Sequence, residues 1–307
     1  MTQRFGGPGQ TFGIGVVCAA AATVLGILYL VAAGAPLRYP VVNAAAFLLG
    51  FVALGGVAHA ASRERSTGPA VVVLASCILA TAVFGSSADG AERWLWLGPL
   101  SVQVSLVFLP PLMVLLARRP EGLGAAGVAI AAAGLALQPD RGMAGVLAFG
   151  MVVLAATNPG RWPAVALTAA IASLAATLLR ADPLPAVPYV DRILFTAFDV
   201  HALAGAAVVA GSILLLVPAL VGAYRDPAHR PVHLVFGAAW LGCVLAAALG
   251  NYPTPVVGYG GSAILGYLLS LACTPSQVRA ARGRSAVESQ EDHVPNHARC
   301  EIAVSPA

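Results

Sequence analysis

Four short polar stretches interrupt an otherwise apolar chain, and each carries side chains able to bind a charged ligand or move a proton. Asp140 lies in Leu137–Gly142, and Asp191 and Asp199 lie in Arg180–Gly205. Half-burying a carboxylate at a membrane face is costly unless it is paired or solvated, so each calls for a reason. Asp140 follows a proline and reads as a helix N-cap as readily as a ligand group. Asp191 beside Arg192 reads as an interfacial turn, and Asp199 as a helix cap. His201 stands near both, although a lone histidine is more often structural. In Gly90–Ser105, Arg93 adjoins Trp94 and Trp96, a pairing that anchors helices at an interface. Gly250–Ser262 ends in Tyr259, Gly260, Gly261 and Ser262 ahead of an apolar run. Glycines there allow close helix packing, or let backbone N–H groups approach an anion at a helix start.

The elements that must position these groups are apolar throughout. Of 307 residues, 59% are hydrophobic and 10% charged, with mean hydropathy +0.83. A soluble domain carries roughly a quarter of its residues as charges. The deficit therefore predicts repeated membrane spans rather than one buried core. Apolar runs give ten spans near 11–34, 40–61, 68–86, 99–117, 121–137, 142–157, 162–179, 199–223, 232–250 and 257–273. The first run is too long for a signal-peptide core and reads as an uncleaved span. The expectation is an all-α integral membrane protein with a polytopic membrane domain at 1–273. A polar segment at 274–307 reads as a mobile cytoplasmic tail, whose Arg279, Arg282 and Arg284 can touch anionic lipid head groups.

Every basic side chain other than histidine is arginine. With the N-terminus inside, most arginines fall in cytoplasmic segments, leaving Arg38, Arg93, Arg141, Arg180 and Arg192 outside; both termini are then cytoplasmic. Most carboxylates ahead of the tail fall near the outer side, where these arginines can pair with them around a polar, outward-facing cavity. The net charge of +4 is scattered over short loops and reports orientation, not nucleic-acid binding. Five cysteines without CxxC spacing read as small packing residues. No phosphate-cradling loop is present, which disfavours ATP-driven transport in cis.

Taken in order, the four stretches resemble the motifs of the SEDS family (the FtsW, RodA and SpoVE group). Gly90, Ala91, Arg93, Trp94, Leu97, Gly98, Pro99, Ser101, Gln103 and Ser105 fall in register with the family pattern G-A-R-R-W-I-x-L-G-P-x-S-x-Q-P-S-E. Asp140 and Gly142 match L-x-P-D-x-G. Asp191 falls on the acidic residue of a T-D pair, Asp199 on the first Glu of an E-E pair, and Gly205 on a closing Gly, with Val190 and Val200 replacing Thr and the second Glu. Pro255, Tyr259, Gly260, Gly261 and Ser262 match P-x-x-S-Y-G-G-S, with Gly258 in place of its first Ser. The resemblance spans roughly residues 85–275.

The resemblance implies a SEDS-like fold of about ten transmembrane helices in the bacterial inner membrane. It implies a glycosyltransferase that polymerises the lipid-linked disaccharide lipid II into peptidoglycan at the outer face. Asp191 would be the catalytic base. Arg93, Trp94, Gln103, Ser105, Asp140, Asp199, Tyr259, Gly260, Gly261 and Ser262 would bind substrate, Arg93 by a charge-assisted bond to a phosphate oxygen. A divalent cation (Mg²⁺ or Mn²⁺) is the implied cofactor, with Asp140 and Asp199 as candidate ligands, and no organic cofactor is expected. The implied partners are an undecaprenyl-diphosphate-linked substrate, membrane lipid and a transpeptidase penicillin-binding protein. The chain departs from the family where the pattern supplies a Glu and a Lys inside the fourth helix: here stand Leu106 and Leu109. The loop before Asp191 is also short. A non-catalytic SEDS-like subunit and a lipid or solute transporter are the competing classes.

Overall fold

The computed structural model describes residues 8–63, 66–88, 91–97, 100–180 and 185–275. The tail beyond residue 275, with Arg279, Arg282 and Arg284, lies outside the described residues, as do Gly90, Gly98 and Pro99.

Each expected apolar run holds helix. The elements are α1 (Pro8–Ala32), α2 (Arg38–Arg63), α3 (Gly68–Phe84), β1 (Ser86–Ala88), β2 (Ala91–Leu97), β3 (Leu100–Gln103), α4 (Val104–Arg118), α5 (Gly122–Leu137), α6 (Arg141–Thr157), α7 (Arg161–Leu178), α8 (Ile193–Val200), α9 (Ala202–Leu214), α10 (Val217–Arg225), α11 (Arg230–Leu249) and α12 (Gly261–Ala272). Among the described residues, five segments are long and apolar enough to cross a bilayer: Gly13–Ala32, Arg38–Ala60, Arg161–Leu178, Ala202–Arg225 and Pro227–Leu249. Five more apolar helices, α3, α4, α5, α6 and α12, are shorter. The protein is an all-α multi-pass membrane protein.

Two boundaries differ from the sequence reading, each for a local reason. The segment expected as a loop leading into the fourth span folds as an antiparallel three-stranded meander, in order β1-β2-β3. Trp94 pairs with Gln103 and Leu97 with Leu100, so helix α4 starts at Val104 rather than near residue 99. Aromatic and β-branched residues suit a half-buried pleated surface. The eighth span breaks at Leu215–Leu216, because Pro218 opens α10 without an N–H to extend the ladder. The Leu215 carbonyl at the break accepts a bond from the Tyr267 hydroxyl at 3.0 Å, which meets the demand for internal satisfaction in lipid.

Helix α4 is the axis of the bundle. Nearly its whole length is buried, and α3, α6, α11 and α12 surround it. A helix apolar on every side is buried on every side. The segments between α1 and α2, α3 and α4, α5 and α6, α7 and α8, and α11 and α12 gather at one end. Arg38, Arg93, Arg141, Arg180 and Arg192 all lie on or beside those segments. At the other end Glu121 accepts bonds from Ser66 Oγ and Gly68 N, tying the starts of α3 and α5.

Candidate functional site

The site assembles at the loop end from four elements. From α2, the fully buried Asn43 donates through Nδ2 to the Gly258 carbonyl at 2.9 Å and accepts from Gly260 N–H at 3.1 Å. The side chain thus clamps the segment before α12 at both ends. Gly260 there has φ +149°, a conformation that side chains rarely adopt. Gly258 is needed for a close approach: a Cβ there would stand 2.9 Å from the Thr254 carbonyl oxygen and 3.2 Å from that of Val190.

The same segment is zipped to the loop carrying Asp191. Thr254 N–H donates to Val190 O at 3.0 Å and Tyr259 N–H to Tyr189 O at 2.8 Å, while Asp191 and Pro253 form an isolated bridge. Aromatic rings cover this junction. Tyr39 stacks on Tyr259 with ring centres 3.7 Å apart, and Tyr189 meets Tyr39 edge-on. Asp191 is 8% exposed, and one carboxylate oxygen accepts from Val187 N–H at 2.8 Å. Burial raises its pKa above the ordinary carboxylate value, and the Val187 bond works against that rise.

From β3 and α4 comes a buried polar network. Gln103 N–H donates to Ser262 Oγ at 3.0 Å, joining the first stretch to the fourth. Ser105 Oγ and Gln103 Nε2 both donate to Asp140 Oδ2, at 3.0 and 3.3 Å. Asp140 Oδ1 accepts from Met143 N–H at 3.1 Å, capping α6. A carboxylate held by three donors at a helix N-terminus is well stabilised even at zero exposure. The cap reading of Asp140 is thus the geometry found. Gln103 Oε1, by contrast, is buried without a hydrogen-bond partner.

A cavity of about 350 Å³ lies between these parts. Val42, Ala46 and Leu49 of α2 form an apolar wall; Trp94, Gln103 and Leu106 face them, and Tyr259 through Ser262 form one end. Val190 and Pro253, the sequence and bridge neighbours of Asp191, also line it.

The structure therefore brings Trp94, Gln103, Tyr259, Gly260, Gly261 and Ser262 to one cavity, with Ser105 and Asp140 directly behind Gln103. Arg93 is buried and placed differently: its Nε and Nη2 donate to the carbonyls of Gln138 and Pro139, on the turn preceding Asp140. Arg141 and Arg180 likewise spend donors on carbonyls, of Arg180 and of Ala136 and Leu137 respectively; among the described residues neither forms a carboxylate pair, and Asp182, the carboxylate beside Arg180 in sequence, lies outside them. Asp199 is exposed near the end of α8 and does not line the cavity. His201 caps α9, its Nδ1 accepting from Leu203 N–H at 3.1 Å. Among the described residues, no three His, Cys, Asp or Glu side chains converge to hold a metal. Asn43, Tyr39 and Tyr189 escaped the sequence reading. The signal for Asn43 was an amide inside an otherwise apolar run, and nothing local pointed to Tyr189.

No family model matches the chain, and no curated protein matches it. Solved structures do. The Thermus thermophilus rod shape determining protein RodA is 24% identical with TM-score 0.63, over 88% of this chain and 97% of that one. An aspartate-to-alanine mutant of that protein is 25% identical with TM-score 0.62, over 88% and 97%. A chain from a structure on the coordination of polymerization and crosslinking by a peptidoglycan synthase complex is 25% identical with TM-score 0.56, over 89% and 97%. The chain has a SEDS-like fold. In this SEDS-like bundle the two departures in α4 fall at unequal places. Leu106 reaches the cavity wall, while Leu109 is fully buried in the bundle axis. Gly142 is explained by packing, since a Cβ there would stand 2.6 Å from the Tyr252 ring.

Proposed function

We propose that this SEDS-like protein is a peptidoglycan glycosyltransferase of the bacterial inner membrane, polymerising lipid II at the outer face. The observation that carries this reading is the convergence of residues from three motif stretches on one cavity, with Asp140 of the remaining stretch bonded directly behind it.

The apolar α2 wall suits an isoprenoid chain, and the N-terminus of α12, with Gly260, Gly261 and Ser262, suits a diphosphate. Asp191 is the general base. It takes the proton of the attacking sugar hydroxyl as the new bond forms at the anomeric carbon and the lipid diphosphate leaves with the old bonding pair. Such a base contributes roughly 100-fold to 10,000-fold, and a pKa raised by burial makes it stronger. Gln103 borders the cavity with its amide nitrogen fixed by Ser105 and Asp140, which suits it to position substrate. Among the described residues, the two candidate ligands do not come together to hold a divalent cation: Asp140 accepts bonds at both oxygens behind Gln103, and Asp199 stands exposed on α8. A transpeptidase penicillin-binding protein is the proposed partner, in keeping with the likeness to a chain of a peptidoglycan synthase complex.

One observation favours a second reading, a non-catalytic subunit that binds lipid-linked precursor. Leucines stand at 106 and 109, where the family pattern has ionisable groups. The test is polymerisation of lipid II by purified protein with its partner transpeptidase, comparing wild type with Asp191→Ala. Glycan chains from wild type only are the expected result. No chains from a folded wild-type complex select the non-catalytic reading, and equal chains from both remove Asp191 as the base.

A further inference from the structure

Tyr39 carries the apolar wall of the cavity outward. Helical spacing sets it one turn beyond Val42 and in line with Ala46 and Leu49, so one face of α2 runs from hydrocarbon to an aromatic ring at the loop end. The Tyr39 ring lies on that of Tyr259, which borders the cavity, with centres 3.7 Å apart and planes within 9°. Parallel rings with so little offset repel through their quadrupoles. The Arg38 guanidinium, 5.2 Å from the centre of the Tyr39 ring, counters that by cation–π attraction. Tyr189 braces Tyr39 edge-on, with ring centres 6.0 Å apart. It does so from φ +65°, a conformation rare for a bulky residue, and its carbonyl takes the Tyr259 N–H. All three rings stay partly exposed, and Arg38 is exposed.

A tyrosine that only anchors a helix end needs lipid head groups, not a second ring. Here Tyr39 covers one face of Tyr259, and the face turned away from Tyr39 is left for a ligand at the cavity. Among the described residues, no Asp, Glu, Lys, Arg or His lines that cavity. Contact there is made by hydrocarbon, aromatic carbon, amide and hydroxyl. An electron-rich ring among neutral polar groups is the chemistry that recognises a saccharide. A pyranose lays its polarised C–H bonds on the ring, and its oxygens remain for a donor at the rim such as Arg38. The order along α2 agrees. An amphiphile with its chain on Val42, Ala46 and Leu49 and its phosphates at Gly260–Ser262 carries its sugar outward, to the level of Tyr39.

We propose that the Tyr39–Tyr259 stack, flanked by Arg38 and braced by Tyr189, is a saccharide platform that takes one pyranose ring of the lipid-linked substrate. The assignment to that substrate rests on the glycosyltransferase reading; the affinity of the surface for a pyranose does not. Tyr39 and Arg38 are then specificity residues, which act on a sugar-bearing lipid and not on the lipid as such.

The test titrates two lipids onto the full chain in nanodiscs, read by native mass spectrometry: undecaprenyl diphosphate, and the same lipid bearing one N-acetylglucosamine. Neither needs turnover, so the result stands apart from the polymerisation assay. Tyr39→Ala is expected to weaken the sugar-bearing lipid about tenfold and to leave the bare lipid unchanged. Tyr39→Phe, which keeps the ring, is expected to match wild type on both. Arg38→Gln is expected to weaken only the sugar-bearing lipid, about threefold. Equal losses on both lipids in Tyr39→Ala would mark a structural brace and overturn the proposal, as would no loss on either. Equal losses in Arg38→Gln would move that residue to the diphosphate and remove it from the platform. A soluble N-acetylglucosamine tetramer is expected to compete with the sugar-bearing lipid on wild type. A tetramer that binds through Tyr39 without displacing that lipid overturns the assignment to the lipid-linked substrate.

Discussion

Asn43→Ala isolates the clamp on which the site depends. The substitution removes both bonds from α2 to the segment before α12, leaving the Gly258 carbonyl and the Gly260 N–H without their partner. Interhelical hydrogen bonds within membranes are worth about 1 kcal/mol each, and each buried polar group left unpaired costs about 1–3 kcal/mol. Because the two stranded groups share one small loop and relax together, the expected loss is about 2–4 kcal/mol, concentrated at residues 258–262. At 1.4 kcal/mol per tenfold, this raises the local opening equilibrium by about 30-fold to several hundred-fold. Hydrogen exchange in nanodiscs reads that equilibrium directly. Protection at Gly260–Ser262 should collapse by such a factor, while the core of α4 around Leu112, fully buried at the bundle axis, keeps its rate. Lipid II polymerisation should fall with it, since the α12 N-terminus loses its set position. Exchange at Gly260 within threefold of wild type would refute the clamp. A uniform rise that includes α4 would refute its local character.

Restoring the family's serine in Gly258→Ser is expected to harm this chain, because the new Cβ would stand 2.9 Å from one backbone oxygen and 3.2 Å from another; thermal unfolding in detergent should show a loss of about 1–3 kcal/mol. The raised pKa of Asp191 has two consequences. Polymerisation must rise with pH as Asp191 loses its proton, so the acid limb of the pH–rate profile should lie above the ordinary carboxylate value of 3.8 and vanish with the activity in Asp191→Asn. Because the folded pKa exceeds the unfolded one, the stability tied to this group is present at low pH and lost as pH rises through the folded pKa. Asp191→Asn, which can still accept from Val187 N–H, should therefore melt higher than wild type at neutral pH and show no gain near pH 3.

Much of the site was legible because its parts are contiguous. Proline before Asp140 and the apolar run after it announced a capped helix, and the cap is there. The Tyr-Gly-Gly-Ser stretch announced the start of α12, which begins at Gly261. Arg93 was harder, since its type fitted a phosphate clamp as well as a carbonyl brace, and only the position of the Gln138–Pro139 turn separates the two. The meander at 86–103 was hidden because Trp and Leu serve a strand or an interfacial helix end equally well.

What the sequence alone determined is the set of ten apolar runs, the residues able to do chemistry, and their order along the chain. These follow from hydrophobicity and short-range stereochemistry, which depend only on neighbours. Tertiary structure decided which runs are central and which chemical residues meet. A helix apolar on every side carries no periodic mark of the face that meets protein, so the axial place of α4 could not be read from its residues. Nor could the amide of Asn43 announce that its partners lie more than 200 residues away. A buried polar group must find a partner, but its own sequence does not say which.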